Sequence, residues 1–192
     1  MTLTEYIQAD SAADLPRDGR NSRSPWLEGW NVQLETGRVH VADPSDANCD
    51  MYGCVLLLAP GAYRLELQVA RPGGRHRVAA ARLRRQDIDR FELGARIGDV
   101  TTDVASIAVY DFEVFTRVDV EDDARWLGID ETRAFFYLCQ ALSMADVPNS
   151  EICLIKTGFG DGTFAVMELI SSGERIGFEI EFIDPDEDGL EP

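Results

Sequence analysis

Apolar and polar residues alternate with a period of two over several stretches of this 192-residue chain. Trp30, Val32 and Leu34 interleave with Asn31, Gln33 and Glu35, and Tyr63, Leu65, Leu67 and Val69 with Arg64, Glu66 and Gln68. Ile176, Phe178, Ile180 and Phe182 interleave with Arg175, Gly177, Glu179 and Glu181. A period of two puts alternate side chains on opposite faces of a pleated strand, so each stretch predicts a strand with one buried and one wet face. Phe112, Val114, Thr116 and Val118 form a fourth, less regular case. The connections Ala59-Pro60-Gly61, Pro72-Gly73-Gly74 and Ser171-Ser172-Gly173-Glu174 are short and rich in turn formers. Half-solvated strands joined by short turns belong to antiparallel sheets rather than to parallel β-α-β units. One segment changes period. After Asp130, a candidate N-cap, Phe135, Leu138, Cys139 and Leu142 recur at helical spacing, and the run stops before Val147-Pro148-Asn149. The predicted fold is mainly β, of the α+β kind: an antiparallel β-sandwich or partly open barrel with one amphipathic helix packed on it. Residues 1–29 read as an N-terminal arm or lid, 30–183 as a single β-rich domain and 184–192 as an acidic tail.

The segment Gly158-Phe159-Gly160-Asp161-Gly162 lies between the apolar runs Ile152–Ile155 and Phe164–Ile170. Three glycines in five residues, with an Asp able to accept from backbone amides, predict a tight β-hairpin joining the two runs. The same spacing superficially matches a phosphate-binding loop, but a helix should follow such a loop and a strand pattern follows here. As a ligand or partner contact, the candidates are Gly158, Gly160, Asp161 and Gly162, with Asp161 projecting from a rigid turn. Asp43 joins them from the loop Asp43–Asp50, where Asp46 and Asp50 could also gather oxygen ligands, although Asp, Pro, Ser and Asn are equally what turns are made of.

Composition narrows the function classes. The 45% hydrophobic content suits one sizeable core. No apolar run approaches the roughly 20 residues of a membrane-spanning helix, and the amino terminus lacks a basic segment followed by an apolar one, so no membrane association and no secretory signal are expected. Cys49, Cys54, Cys139 and Cys153 show no metal-binding or redox spacing and read as reduced thiols of a cytoplasmic protein, with a Cys49–Cys54 disulfide as the alternative. The net charge of −17 disfavours nucleic acid, whose backbone rewards clustered cations. That charge is uneven: nine arginines against four acids lie between Arg64 and Arg96, and the rest of the chain is strongly acidic. Arg75, Arg77, Arg82, Arg84, Arg85 and Arg90 are expected to face carboxylates of the same molecule; a site for an anionic ligand is the other reading.

The sequence points to no catalytic residue, metal site or cofactor. His40 and His76, the two histidines, lack ligand spacing and read as surface residues. Neither is marked as a base for Cys54, and a serine nucleophile elbow is missing. Asp184-Pro185-Asp186-Glu187-Asp188-Gly189 opens like a calcium loop but lacks its remaining ligands, so a solvated acidic tail is the plainer reading.

Three blocks together resemble an uncharacterised bacterial family, domain of unknown function four-two-four-one. They are Thr36–Pro44; Ala59–Leu65 followed by Arg77–Leu83; and Thr157–Phe164 with the closing strand to Phe182. The resemblance covers roughly Gly37 to Ile183 and implies a β-rich fold with no established activity. Gly98–Ser106, ahead of Tyr110 and Asp111, fits the family's glycine-rich, Asp-containing turn more loosely.

The leading expectation is a non-enzymatic protein-binding domain, in the manner of an immunity or antitoxin-like factor that captures a basic protein. Complementary charge would speed that encounter and fix its orientation. The alternative is a small-molecule-binding module or an enzyme with a pocket in the β-sandwich. The oligomeric state is open. Trp26, Trp30 and Trp126 would serve a subunit of a larger assembly if exposed together, and a core if not.

Overall fold

A computed structural model describes residues 23–44, 53–71, 76–112, 152–158 and 160–183. The alternating stretches form strands there. β1 (Leu27–Leu34), β4 (Gly61–Ala70) and β10 (Glu174–Glu181) contain the three regular patterns, and their apolar phase is the buried one: Val32 and Leu34, Tyr63 and Leu65, Phe178 and Ile180. The others are β2 (Arg38–Ala42), β3 (Cys54–Leu57), β5 (Arg77–Arg85), β6 (Glu92–Thr102), β7 (Ser106–Asp111), β8 (Ile152–Lys156) and β9 (Gly162–Ser171). The strand expected over Phe112–Val118 lies, after Phe112, outside the described residues. So do the helix expected after Asp130, Trp126, residues 1–22 of the expected arm and the acidic tail.

All pairings are antiparallel. One sheet has six strands in the order β1-β4-β5-β10-β9-β6, the other four in the order β3-β2-β7-β8. One continuous apolar core takes Val32, Leu65, Leu83, Phe178 and Ile180 from the larger sheet and Val39, Val41, Leu56, Ile107, Val109 and Ile155 from the smaller. The architecture is therefore a two-sheet sandwich and not a closed barrel. The first strand starts at Leu27, ahead of the boundary read at Trp30. Arg23 bridges to Ala70, and the Ser24 amide donates to the Val69 carbonyl at 2.8 Å, so the chain is attached to the larger sheet from Arg23 onward.

Four connections, β2–β3, β4–β5, β7–β8 and β9–β10, join neighbouring antiparallel strands, and two of them are short. Pro72-Gly73-Gly74 falls between the paired β4 and β5, and Ser172 and Gly173 join β9 to β10 with φ of 52° and 82°. Positive φ at both central residues matches the right-handed strand twist, and Gly173 adopts it without a Cβ clash. Four other connections carry the chain from one sheet to the other: β1 to β2, β3 to β4, β6 to β7 and β8 to β9. The last corrects the hairpin expected at Gly158–Gly162. The two apolar runs do flank the glycines, but β8 pairs with β7 in the smaller sheet while β9 pairs with β6 and β10 in the larger. The glycines span the edge of the sandwich instead of folding a strand back on its neighbour.

At the β1–β2 corner, Gly37 has φ 72° and its carbonyl accepts from the Leu58 amide at 2.8 Å. A Cβ at Gly37 would stand 2.0 Å from the Leu58 carbonyl oxygen, so only glycine fits. The buried Asp111 on β7 fastens this corner: its carboxylate accepts from the Thr36 amide at 2.9 Å, the Thr36 hydroxyl at 2.5 Å and the Gly37 amide at 3.1 Å.

Candidate functional site

The structure brings Asp43 and Asp161 to the same turn. Asp43 follows the last residue of β2, Asp161 precedes β9, and both carboxylates reach the Asp103–Ala105 turn between β6 and β7. Asp43 Oδ2 accepts from the Asp103 amide at 2.7 Å, and Asp161 Oδ1 accepts from the Ala105 amide at 3.0 Å. The Thr157 amide donates to the Ala105 carbonyl at 3.1 Å, tying the β8–β9 connection to the same turn. Ala105 sits at φ 53°, a left-handed conformation that costs about 1 kcal/mol outside glycine and is sustained only where neighbours enforce it. Buried Thr102 completes the turn, its hydroxyl donating to the Ser106 carbonyl at 2.8 Å and accepting from the Val104 and Ser106 amides at 3.2 and 3.3 Å.

The glycines serve close packing in the same corner. A Cβ on Gly158 would stand 2.5 Å from the Ile183 side chain and 2.9 Å from the Val78 carbonyl, and the Gly158 carbonyl accepts from Arg77 Nη1 at 2.9 Å. Gly160 has φ 124°, and its carbonyl accepts from the Thr157 hydroxyl. Gly162 lies against the Phe164 ring, which meets Phe182 edge-on at 5.1 Å. Of the five residues singled out, Asp43 is buried and Asp161 exposed. Each bonds a backbone amide of the turn, so the geometry makes this corner a joint between the end of β2 and the β6–β7 and β8–β9 sheet crossings.

His40 corrects a second expectation. It faces away from the core, as the alternation predicts, yet it is buried, because the outward face of the smaller sheet is closed over at its centre, where Ala42, Ala108 and Tyr110 have no exposure. Its ring lies 5.3 Å from Tyr110 and 5.2 Å from Phe112, and Arg38 stacks on Phe112 at 4.1 Å. Neither ring nitrogen has a hydrogen-bond partner. Burial, and then the Arg38 charge, lower its pKa, against an opposing pull from Asp111. His76 is half-buried. Cys54 pairs with the inward Val41, so it lies on the face opposite His40 and the two form no nucleophile and base. Burial, with the Asp99 charge, pushes the Cys54 thiol up to about 11. Cys54 is a free thiol.

Of the arginines expected to face carboxylates, Arg82, Arg84 and Arg85 of β5 do so, Arg77 reaches the Gly158 carbonyl, and Arg75 lies outside the described residues. Glu66 on β4 stands directly opposite Arg82. Arg84 holds it by two bonds, Nη2 to Oε1 at 2.9 Å and Nε to Oε2 at 3.1 Å, while Arg82 Nε donates to Oε2 at 2.6 Å. Trp26 covers the Arg82 guanidinium at 4.0 Å, and Phe91 lies near both arginines. Burial alone would raise the Glu66 carboxyl, but hydrogen bonds from Arg84 and Arg82, helped by their charges, outweigh it and hold the group below its ordinary value. Arg85 pairs with Asp87 at 2.8 Å. The forks that an anionic ligand would need are thus engaged within the sheet. This cluster could be anticipated from the count of arginines but not from the position of Glu66, which needs the β4–β5 register.

Among the described residues, no group of three or more His, Cys, Asp or Glu is placed to hold a metal ion, and no helix is long and apolar enough to cross a membrane. No family model, no curated protein and no solved structure matches the chain.

Proposed function

We propose that this chain is a non-enzymatic protein-binding domain of the cytoplasm that captures a basic partner protein, in the manner of an immunity or antitoxin-like factor. The carrying observation is the distribution of charge. The described strands and turns hold fifteen carboxylates and twelve cations, so fourteen of the seventeen net negative charges belong to the remaining residues of the sequence. The sandwich answers its own arginines internally, through Glu66, Asp87, Glu28 and Glu168. The acidic excess lies in the segments Asp119–Asp123, Asp130–Glu131 and Asp184–Glu191 of the sequence. A field of one sign attracts an oppositely charged protein over about 8 Å at physiological salt and further in dilute buffer. The resemblance to the four-two-four-one family stands within this proposal as compatible with a β domain without assigned chemistry.

The test is affinity capture from the native host, with the immobilised chain washed at about 0.05 M and then about 0.5 M salt. A basic protein is retained in the first wash and released by the second, and neutralising Glu121, Asp122 and Asp123 to amides weakens its retention. Capture of no basic protein at low salt removes the reading.

A further inference from the structure

Among the described residues, the outermost strands are β1 and β6 in the larger sheet and β3 and β8 in the smaller. An open edge is a row of unpaired N–H and C=O groups that templates another strand, and proteins blunt such edges with bulges, charges or proline. β6 has register shifts between Leu93 and Arg96 and between Arg96 and Gly98, and carries Glu92, Arg96 and Asp99. β1 has a shift between Glu28 and Asn31, with Glu28 charged. β8 ends on the exposed Lys156. β3 has none of these devices. It pairs with β2 without a shift, Cys54-Val55-Leu56-Leu57 contains neither charge nor proline, and its outward side chains Val55 and Leu57 are 41% and 71% exposed.

The backbone says what fits there. The Leu58 amide donates to the Gly37 carbonyl, and the alternation of an antiparallel ladder then turns the amides of Cys54 and Leu56 toward β2 and those of Val55 and Leu57 outward. An extended chain satisfies such a row.

We propose that β3 pairs with β3 of a second copy of this chain, antiparallel about a two-fold axis at Leu56, joining two four-stranded sheets edge to edge. In this register Val55 of each copy stands opposite Leu57 of the other. Both residues present outward N–H and C=O groups, so the ladder closes with main-chain bonds on either side of the axis. The apolar side chains meet in pairs on the outer face, and an isologous contact of this kind is self-complementary. The uncharged strand puts no like charges on the axis. The whole-chain charge of −17 still repels at range, so salt strengthens this association, the opposite of its effect on capture of a basic protein. Two four-residue strands bury less than the ~1,200 Å² of a standard interface, so the dimer is concentration-dependent.

Sedimentation velocity of the full chain, from about 10 to about 500 µM, tests this against the monomer–dimer range of a small interface. The expected result is a shift from monomer toward dimer with concentration, larger at about 0.5 M than at about 0.05 M salt. Leu57→Lys places a charge on either side of the axis, and Val55→Pro removes an outward amide without touching the β2 ladder. Both are expected to stay monomeric with the urea midpoint of the parent, while Leu93→Lys, at an exposed apolar position on bulged β6, still dimerises. A chain that is monomeric throughout, a dimer that survives both β3 variants, or an edge that takes only an unrelated extended peptide overturns the proposal.

Discussion

Replacing Glu66 by Gln leaves shape and one acceptor in place and removes the charge that two buried guanidinium groups share. The Arg82 and Arg84 side chains are only 14% and 12% exposed, so water replaces the lost partner poorly. Breaking a buried pair from one side costs about 3–5 kcal/mol, and a hydrogen bond to a charged group is worth about 1.5–3. The retained amide oxygen and the Trp26 face over Arg82 offset part of this, which puts the expected loss at about 2–3 kcal/mol. In urea, with a slope of about 2 kcal/mol/M, the midpoint falls by about 1–1.5 M without a change of slope. Glu66→Leu combined with Arg82→Met and Arg84→Leu removes the charges together and stays within about 1 kcal/mol of the parent, because a buried ionic cluster gains little over apolar packing. The pH dependence carries a sign. Glu66 ionises below its ordinary 4.5, so its contribution is complete above that value and fades as pH falls through the lower, folded-state value. The gap between parent and Glu66→Gln therefore narrows in acid. A single-variant loss below about 0.5 kcal/mol, or a gap unchanged at low pH, refutes the reasoning.

Asp161→Ala strips the acceptor from the Ala105 amide at an exposed position and costs about 1 kcal/mol, whereas Asp43→Ala, at a buried one, costs about 2–3. Both leave partner capture at its parental level if the corner is structural, and a loss of capture in Asp161→Ala at unchanged urea midpoint assigns it to the interface instead. For His40, the lowered folded pKa means full stability above pH 6.5, a decline as pH falls toward the folded value, and no further change below it. His40→Phe removes two unpartnered nitrogens from an aromatic stack and is expected to abolish that slope, gaining about 1 kcal/mol at pH 6; a loss of stability there counts against it. The Cys54 thiol, raised from 9.0 to about 11, should alkylate about a hundredfold more slowly at pH 8 than an unperturbed thiol, as timed iodoacetamide labelling read by peptide mass spectrometry would show.

Strands with one wet face were legible because alternation survives only where water touches every second residue. β1 meets that condition over most of its length and β4 and β10 in part, Glu66 and Gly177 being buried on their outward faces, while Ser106–Asp111 of β7 is buried at all six positions and shows no period. His40 separates phase from exposure: the alternation gave its direction, but burial of the outward face depends on what surrounds the smaller sheet and not on the strand itself. The glycines of 158–162 announced a sharp connection without revealing that its two ends enter different sheets, since partner choice is set by strands far away in sequence. Asp43 and Asp161 were plausible as turn residues, and their common target at Asp103–Ala105 comes together only once the fourth sheet crossing, β8 to β9, has been made.

The strand order also dictates when the larger sheet can come into being. β5 and β6 follow one another along the chain, yet they stand three strand spacings, about 14 Å, apart, with β10 and β9 wedged between them. While the polypeptide is being synthesised, that gap stays open until the β9–β10 hairpin leaves the ribosome, about eighty residues after β6 has emerged. The hairpin is the keystone of the vault: lacking it, β1-β4-β5 and β6 are separate pieces, and the newborn chain must shelter two raw margins until its final third arrives.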